Sequence, residues 1–264
     1  MMTDPRILRN KEKYEGKIYT NSFGTQFIVV NYQNKNNVLI EFQDEYKYQK
    51  WIDMKSIIQG SVLNPYDKKL FGVAYYGFDR ICKDNDDEHI HCYDIWYHML
   101  RRCYDNSVQI KHPSYKGCVV CDEWLNFSNF YQWYKQHIIT LNNNERICLD
   151  KDILVKGNKI YSPDTCCFVP NEINILFTKT DAKRGNYPIG VYYKNRNHKF
   201  CAQCKIGGGK PQKYLGLFNT AEEAFQAYKI FKEQYIKHIA DKYKGQIEDR
   251  VYDALYCYRV DITD

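Results

Sequence analysis

Hydrophobic and polar positions along this 264-residue chain follow two different periods, and the change from one to the other divides it into segments. From about Tyr14 to Asp79 the alternation is strand-like and comes in short runs: Lys17–Tyr19, Gln26–Tyr32, Asn37–Phe42 and Tyr48–Asp53. Asn21-Ser22-Phe23-Gly24 and Gln33-Asn34-Lys35-Asn36 supply turns between them. From about His91 to Thr180 the period lengthens. Asp94–Tyr104 predicts a helix with Ile95, Met99, Leu100 and Cys103 on related faces. Cys121–Gln136 predicts a second, with Trp124, Phe127, Phe130, Tyr131 and Tyr134 recurring at three and four. Leu149–Leu154 then reads as a strand. The last segment, 187–245, predicts three strands followed by one helix. Thr220 caps that helix and Glu223, three positions on, completes a capping box. Ala224, Tyr228, Phe231, Tyr235 and Ile239 share the face that covers the strands. The charged, Tyr-rich stretch after Gly245 receives no assignment.

These elements predict a multi-domain α+β protein. Residues 14–79, with short strands in quick succession, are expected to close into a small β-barrel of the Src-homology-three kind. Residues 91–180 form a central α+β domain, and 187–245 a three-stranded sheet packed on one helix. The polar, basic stretch Thr178–Tyr187 is the clearest boundary.

Composition changes this picture in two places. The net charge is only +6, but residues 179–244 hold 14 Lys and Arg against 5 Asp and Glu. The C-terminal third therefore carries +9 and the rest is close to −3. Such concentration is expected where a surface meets phosphates. The chain has 11 Cys, and Met1–Tyr14 is charged with no apolar core, so the expectation is a reducing, cytoplasmic compartment with free thiols. Cys118-x-x-Cys121 and Cys201-x-x-Cys204 have the spacing of a four-thiolate zinc site. Cys201 and Cys204 fall in a strand, however, where a spacing of three points them to opposite faces, and buried thiols are the preferred reading.

On the predicted C-terminal strands, Tyr192, Lys194, Arg196, Lys199, Gln203 and Lys205 oppose Val191, Phe200, Ala202, Cys204 and Leu215. Lys213 and Tyr214 extend the polar side. A basic sheet braced by a helix is one device for reading a DNA groove. The segment resembles the Apetala-two/ethylene-response-factor DNA-binding domain. That resemblance implies that the sheet enters the major groove of double-stranded DNA, with Arg196 reaching guanine, Gln203 adenine and the lysines phosphate.

The central segment contains Tyr115-Lys116-Gly117-Cys118-Val119-Val120-Cys121-Asp122-Glu123-Trp124, then Phe127 and Phe130. Leu149-Asp150-Lys151-Asp152 and Tyr161-Ser162-Pro163-Asp164-Thr165-Cys166 follow, and then Asn171 and Asn174. In order and spacing it resembles an HNH-like family of phage and mobile elements, which includes homing endonucleases. The resemblance implies metal-dependent hydrolysis of DNA phosphodiesters. Asp150 and Asp152 would hold Mg²⁺ or another divalent cation, with Asn174 or Asn171 assisting. Where that motif reads Asp-His, this chain reads Asp150-Lys151. A protonated Lys takes no proton but can stabilise phosphate charge. The general base then falls to His112 or His98, of which His112 is preferred. The alternative expectation is a catalytically inactive DNA-binding regulator, or an anti-defence factor that engages a host defence protein.

Overall fold

The computed structural model describes residues 5–78, 87–142, 145–177, 187–207 and 211–262. It is a mixed α+β protein whose sheets are open. The chain groups into two compact units, residues 1–111 with 122–131, and residues 112–121 with 132–264. The segment expected at 91–180 contributes to both.

In the first unit, helix α1 (Pro5–Tyr14) precedes strands β1 (Ile18–Thr20), β2 (Gln26–Asn34), β3 (Asn37–Phe42) and β4 (Gln49–Ile52). They pair antiparallel in the order β1-β2-β3-β4. Strict alternation along β3 buries Val38, Ile40 and Phe42. On β2 the alternation buries Phe27 and Val29, and a register shift between Val29 and Asn31 then returns Tyr32 to the core. Tyr14 of α1 stacks on Tyr32, with ring centroids 5.6 Å apart.

The expected barrel does not close. β1 and β4 remain the two ends of an open sheet. The reason is local. β4 is only four residues long, and Asp53 immediately caps helix α2 (Met54–Ile58) by accepting the Ser56 N–H at 2.9 Å. After α2 the chain returns beside the end of β1, where Ser22 N–H donates to the Gly60 carbonyl at 3.0 Å, but it forms no strand there to close the sheet.

Helix α3 (Asp87–Tyr104) begins seven residues before the expected helix, because His89 and Cys92 extend its buried stripe ahead of Trp96, Met99, Leu100 and Cys103. Trp96 Nε1 donates to the Trp124 carbonyl at 2.7 Å. A short helix, α4 (Asn106–Lys111), follows. The second expected helix is split into a 3₁₀ turn, Asp122–Leu125, and α5 (Phe127–His137).

The second unit contains β5 (Val119–Val120), β6 (Ile147–Asp150), β7 (Ile160–Tyr161), β8 (Cys167–Pro170) and α6 (Asn171–Asn174). β5 pairs parallel with β7, and β6 antiparallel with β8. Strands β9 (Val191–Lys194), β10 (Lys199–Cys204) and β11 (Lys213–Phe218) form an antiparallel sheet in the order β11-β10-β9. The boundary expected at Thr178–Tyr187 lies, apart from Tyr187, outside the described residues.

Helix α7 (Ala221–Lys242) is the spine of this unit. Its capping box forms, with Glu223 N–H donating to Thr220 Oγ1 at 3.1 Å and Thr220 N–H to Glu223 Oε2 at 3.3 Å. Phe225 and Tyr228, in its first half, pack with Cys204, Val191 and Leu215 of the β9–β11 sheet. Ile236, Ile239 and Ala240, in its second half, pack with Cys167, Val169 and Ile173 of the β6–β8 region. The stretch after Gly245 forms α8 (Asp249–Cys257), which buries Val251 and Leu255 in the same core.

Candidate nucleic-acid interface

The register of β9–β11 determines which side chains share a face, since directly paired residues of an antiparallel sheet point the same way. Lys194 pairs with Lys199, Tyr192 with Cys201, Cys201 with Leu217, and Gln203 with Tyr214. These rows form the face turned away from α7. Phe200, Ala202 and Cys204 lie on the helix side. Between Ala202 and Gln203 the register slips by one residue of β11. This bulge turns Leu215 into the core with Cys204 and Phe225, while its neighbour Tyr214 stays 57% exposed.

The outer face has a distinct pattern. At one end Lys194 and Lys199 stand opposite each other, both exposed. Arg196 is not on a strand. It sits in the 3₁₀ turn Asn195–Asn197 that joins β9 to β10, and the turn closes through His198 at φ 49°. Arg196 therefore projects from the hairpin tip beside the lysine pair. In the middle, Cys201 is fully buried under its neighbours, and the Tyr192 phenol has its pKa raised by hydrogen bonding to that thiol. At the far end Gln203 and Tyr214 form a polar and aromatic row.

Lys205 is exposed just beyond β10. Lys213 pairs with Cys204 and so belongs to the helix-side row of the sheet end, not to the outer face. Among the described residues, Lys194, Arg196 and Lys199 form no ion pair with a carboxylate. Like charges placed directly opposite on a sheet are destabilising. The Lys194–Lys199 row is thus a concentration of positive charge that no carboxylate among the described residues compensates.

The residues expected to form a metal centre in the central segment have the opposite character. Asp150 ends β6 and is nearly buried. Its Oδ1 accepts the backbone N–H groups of Asp152 at 2.7 Å and Ile153 at 2.8 Å. Burial pushes its carboxyl pKa up, and those two N–H bonds oppose the shift. Lys151 is 6% exposed. Its Nζ donates to Asp152 Oδ2 at 2.7 Å and to the Asn158 carbonyl at 2.6 Å, and lies 5.9 Å from the Tyr161 ring centroid. Asn158 Nδ2 returns a bond to the Lys151 carbonyl at 2.9 Å and another to the Ile160 carbonyl at 2.6 Å. The loop is closed on itself.

His112 is exposed and precedes the 3₁₀ turn Pro113–Tyr115. That turn is tied to the same loop, because Lys159 Nζ donates to the Ser114 carbonyl at 2.8 Å. Asn171 and Asn174 lie elsewhere. Asp150 pairs with Cys167 at one end of the β6–β8 hairpin, whereas α6 follows Pro170 opposite Ile147 at the other. Asn171 Oδ1 faces the Cys148 thiol at 3.7 Å.

A divalent cation on this turn would need hard oxygens turned toward it. One Asp150 oxygen is occupied by two backbone N–H groups, and an Asp152 oxygen by the Lys151 ammonium. The bonds described engage one oxygen of each carboxylate, Asp150 Oδ1 and Asp152 Oδ2, so a cation held here would have to use the other oxygen of each. What sequence reasoning missed was the partner of Lys151. The carbonyl and amide of Asn158 hold it, and the one local signal for that residue is the Gly157-Asn158 pair itself, an ordinary turn sequence.

No protein-family model matches the chain, and neither a curated protein nor a solved structure is similar to it.

Proposed function

We propose that this protein binds double-stranded DNA through the outer face of β9–β11, an Apetala-two-like sheet, and that its HNH-like hairpin serves the fold without cutting. The observation that carries the reading is the exposed Lys194–Lys199 row, with no carboxylate paired to it among the described residues and Arg196 at the adjoining hairpin tip. Three cations within one hairpin suit consecutive phosphates along a groove edge. Gln203 and Tyr214 offer hydrogen bonding and a ring at the other end of the same face, where base edges would lie. The inactive reading of the central region is supported by the Lys151 ammonium bound to Asp152 and Asn158, in the position where the nuclease motif has its histidine.

A gel-shift titration of duplex DNA at several salt concentrations tests the first part. Affinity should fall with salt with a log–log slope of about −0.9 for each phosphate neutralised. A salt-independent affinity would sink the reading. Supercoiled plasmid incubated with Mg²⁺ or Mn²⁺ tests the second part. It should remain unnicked while still being bound, and metal-dependent nicking abolished by Asp150→Ala would restore the endonuclease.

A further inference from the structure

The outer face of β9–β11 carries rows of different chemistry, and the middle one is uncharged. The lysine row, Lys194 with Lys199, lies on one side of it, and the polar row, Gln203 with Tyr214, on the other. Between them Tyr192, Cys201 and Leu217 stand side by side on the three strands. Cys201 is fully buried, Leu217 is half-buried and Tyr192 is 39% exposed. The Tyr192 phenol is hydrogen bonded to the Cys201 thiol, so the polar ends of these two side chains satisfy each other. What the row presents outward is carbon, part of a ring and a branched aliphatic chain.

Strand geometry fixes where this row falls. Alternate residues of a strand are about 7 Å apart, so the apolar row lies about 7 Å from the lysine row. The major groove of B-DNA is about 12 Å wide. With the lysines on the phosphates of one wall, the apolar row comes near the middle of the groove, over the edges of the bases. Those edges are mostly hydrogen-bonding groups: N7 of the purines, O6 of guanine, O4 of thymine, and the amino groups of adenine and cytosine. An apolar row pressed onto them strips their water without replacing its hydrogen bonds, which is unfavourable. The thymine 5-methyl group is the exception, because its burial is favourable.

We infer that the Tyr192–Cys201–Leu217 row recognises the thymine methyl group in the major groove, so that the sheet prefers duplexes containing thymine. The preference rests on the duplex binding proposed above and names the group on the base that the sheet contacts. The lysines supply affinity without regard to sequence, and the apolar row supplies the discrimination.

Fluorescence-anisotropy titration of the full chain tests it with two probes, an alternating adenine–thymine duplex and the same duplex with uracil in place of thymine. Their phosphates and the hydrogen-bonding groups on their base edges are the same, and they differ in the methyl group. At equal salt the thymine duplex should bind more tightly, by about fourfold for each methyl group buried. Leu217→Ala and Tyr192→Ala, each in protein whose circular dichroism matches the parent, should bring the thymine-to-uracil ratio toward one while the uracil duplex is still bound. Equal affinity of the parent for the two probes overturns the inference and leaves duplex binding intact. A ratio that persists in both variants also overturns it, because the methyl group would then be sensed elsewhere or through duplex shape. Failure to bind either probe removes duplex binding, and the preference with it, so the two failures are distinguishable. The comparison within the parent needs no substitution and holds even where a variant misfolds.

Discussion

The outer face of β9–β11 and the turn from Asp150 to Asn158 are both charged, and the resemblances seen in the sequence imply DNA for both. They differ in where the charge goes. Lys194 and Lys199 face each other across two strands, with no carboxylate among the described residues to neutralise them. Lys151 is buried, paired with Asp152 and bonded to a backbone carbonyl. The first arrangement costs the fold something, which an anion from outside would offset. The second is resolved internally and contributes to stability. A motif's residue types do not distinguish these cases, whereas the partners of each side chain do.

The sharpest way to break the comparison is to reverse the charge on the open face. Lys194→Glu with Lys199→Glu should weaken duplex binding on the order of 100-fold at about 0.1 M salt, and should lower the salt slope by about two. Quantitative gel shifts measure both. Thermal unfolding of this variant should remain cooperative, because both side chains are exposed. If affinity is unchanged, the basic face is only a solvated surface.

The complementary change is Lys151→Ala. It strands the Asn158 carbonyl and removes the partner of Asp152. The expected loss is about 2 kcal/mol in urea unfolding, below the range for a fully buried pair because Asp152 is about half exposed. DNA affinity should hardly move. A large loss of binding with intact stability would reassign Lys151 from the fold to the ligand.

Asp150 separates the two roles more finely. Asp150→Ala leaves two N–H groups without their acceptor and should cost roughly 1–2 kcal/mol. Asp150→Asn keeps an acceptor oxygen and removes the buried charge. Because burial raises the folded-state pKa, the native Asp contributes most below the ordinary carboxylate range, and that contribution is lost as pH rises through the folded value. The Asn variant should therefore gain on the parent as pH rises above the ordinary carboxylate range in parallel urea titrations. A carboxylate needed in its charged form would give the reverse trend.

What could be read in the sequence was mostly what local chemistry decides. Asn37–Phe42 is a strand with the bounds its alternation implies, and the Thr220–Glu223 capping box forms as its spacing suggests. The strand period also separated Cys201 from Cys204, which the register places on opposite faces. The failures are non-local. Whether β1 meets β4 depends on an edge pairing that no single run encodes, and after the Asp53-capped helix the chain reaches the end of β1 without forming a strand. α8 was unassigned because Val251 and Leu255 are sparse in a charged stretch and gain meaning only against α7. The burial of Lys151 depends on Asn158 and Tyr161 folding back over it, so its neutralised state could not be seen in Asp150-Lys151-Asp152 alone.

The smallest effect bears most directly on why the open face exists. Removing both lysines, as Lys194→Ala with Lys199→Ala, relieves a cross-strand repulsion at an exposed row. The melting temperature should rise by about 1 °C in the absence of DNA, while duplex affinity falls on the order of tenfold. Opposite signs in the two measurements would mean that the fold tolerates the lysine row for the sake of a ligand. A drop in both would instead make the row part of the sheet's own stability, through packing of the lysine stems on Tyr192 and its neighbours. The contrast with Lys151 would then disappear, since both lysines and ammonium would serve the fold.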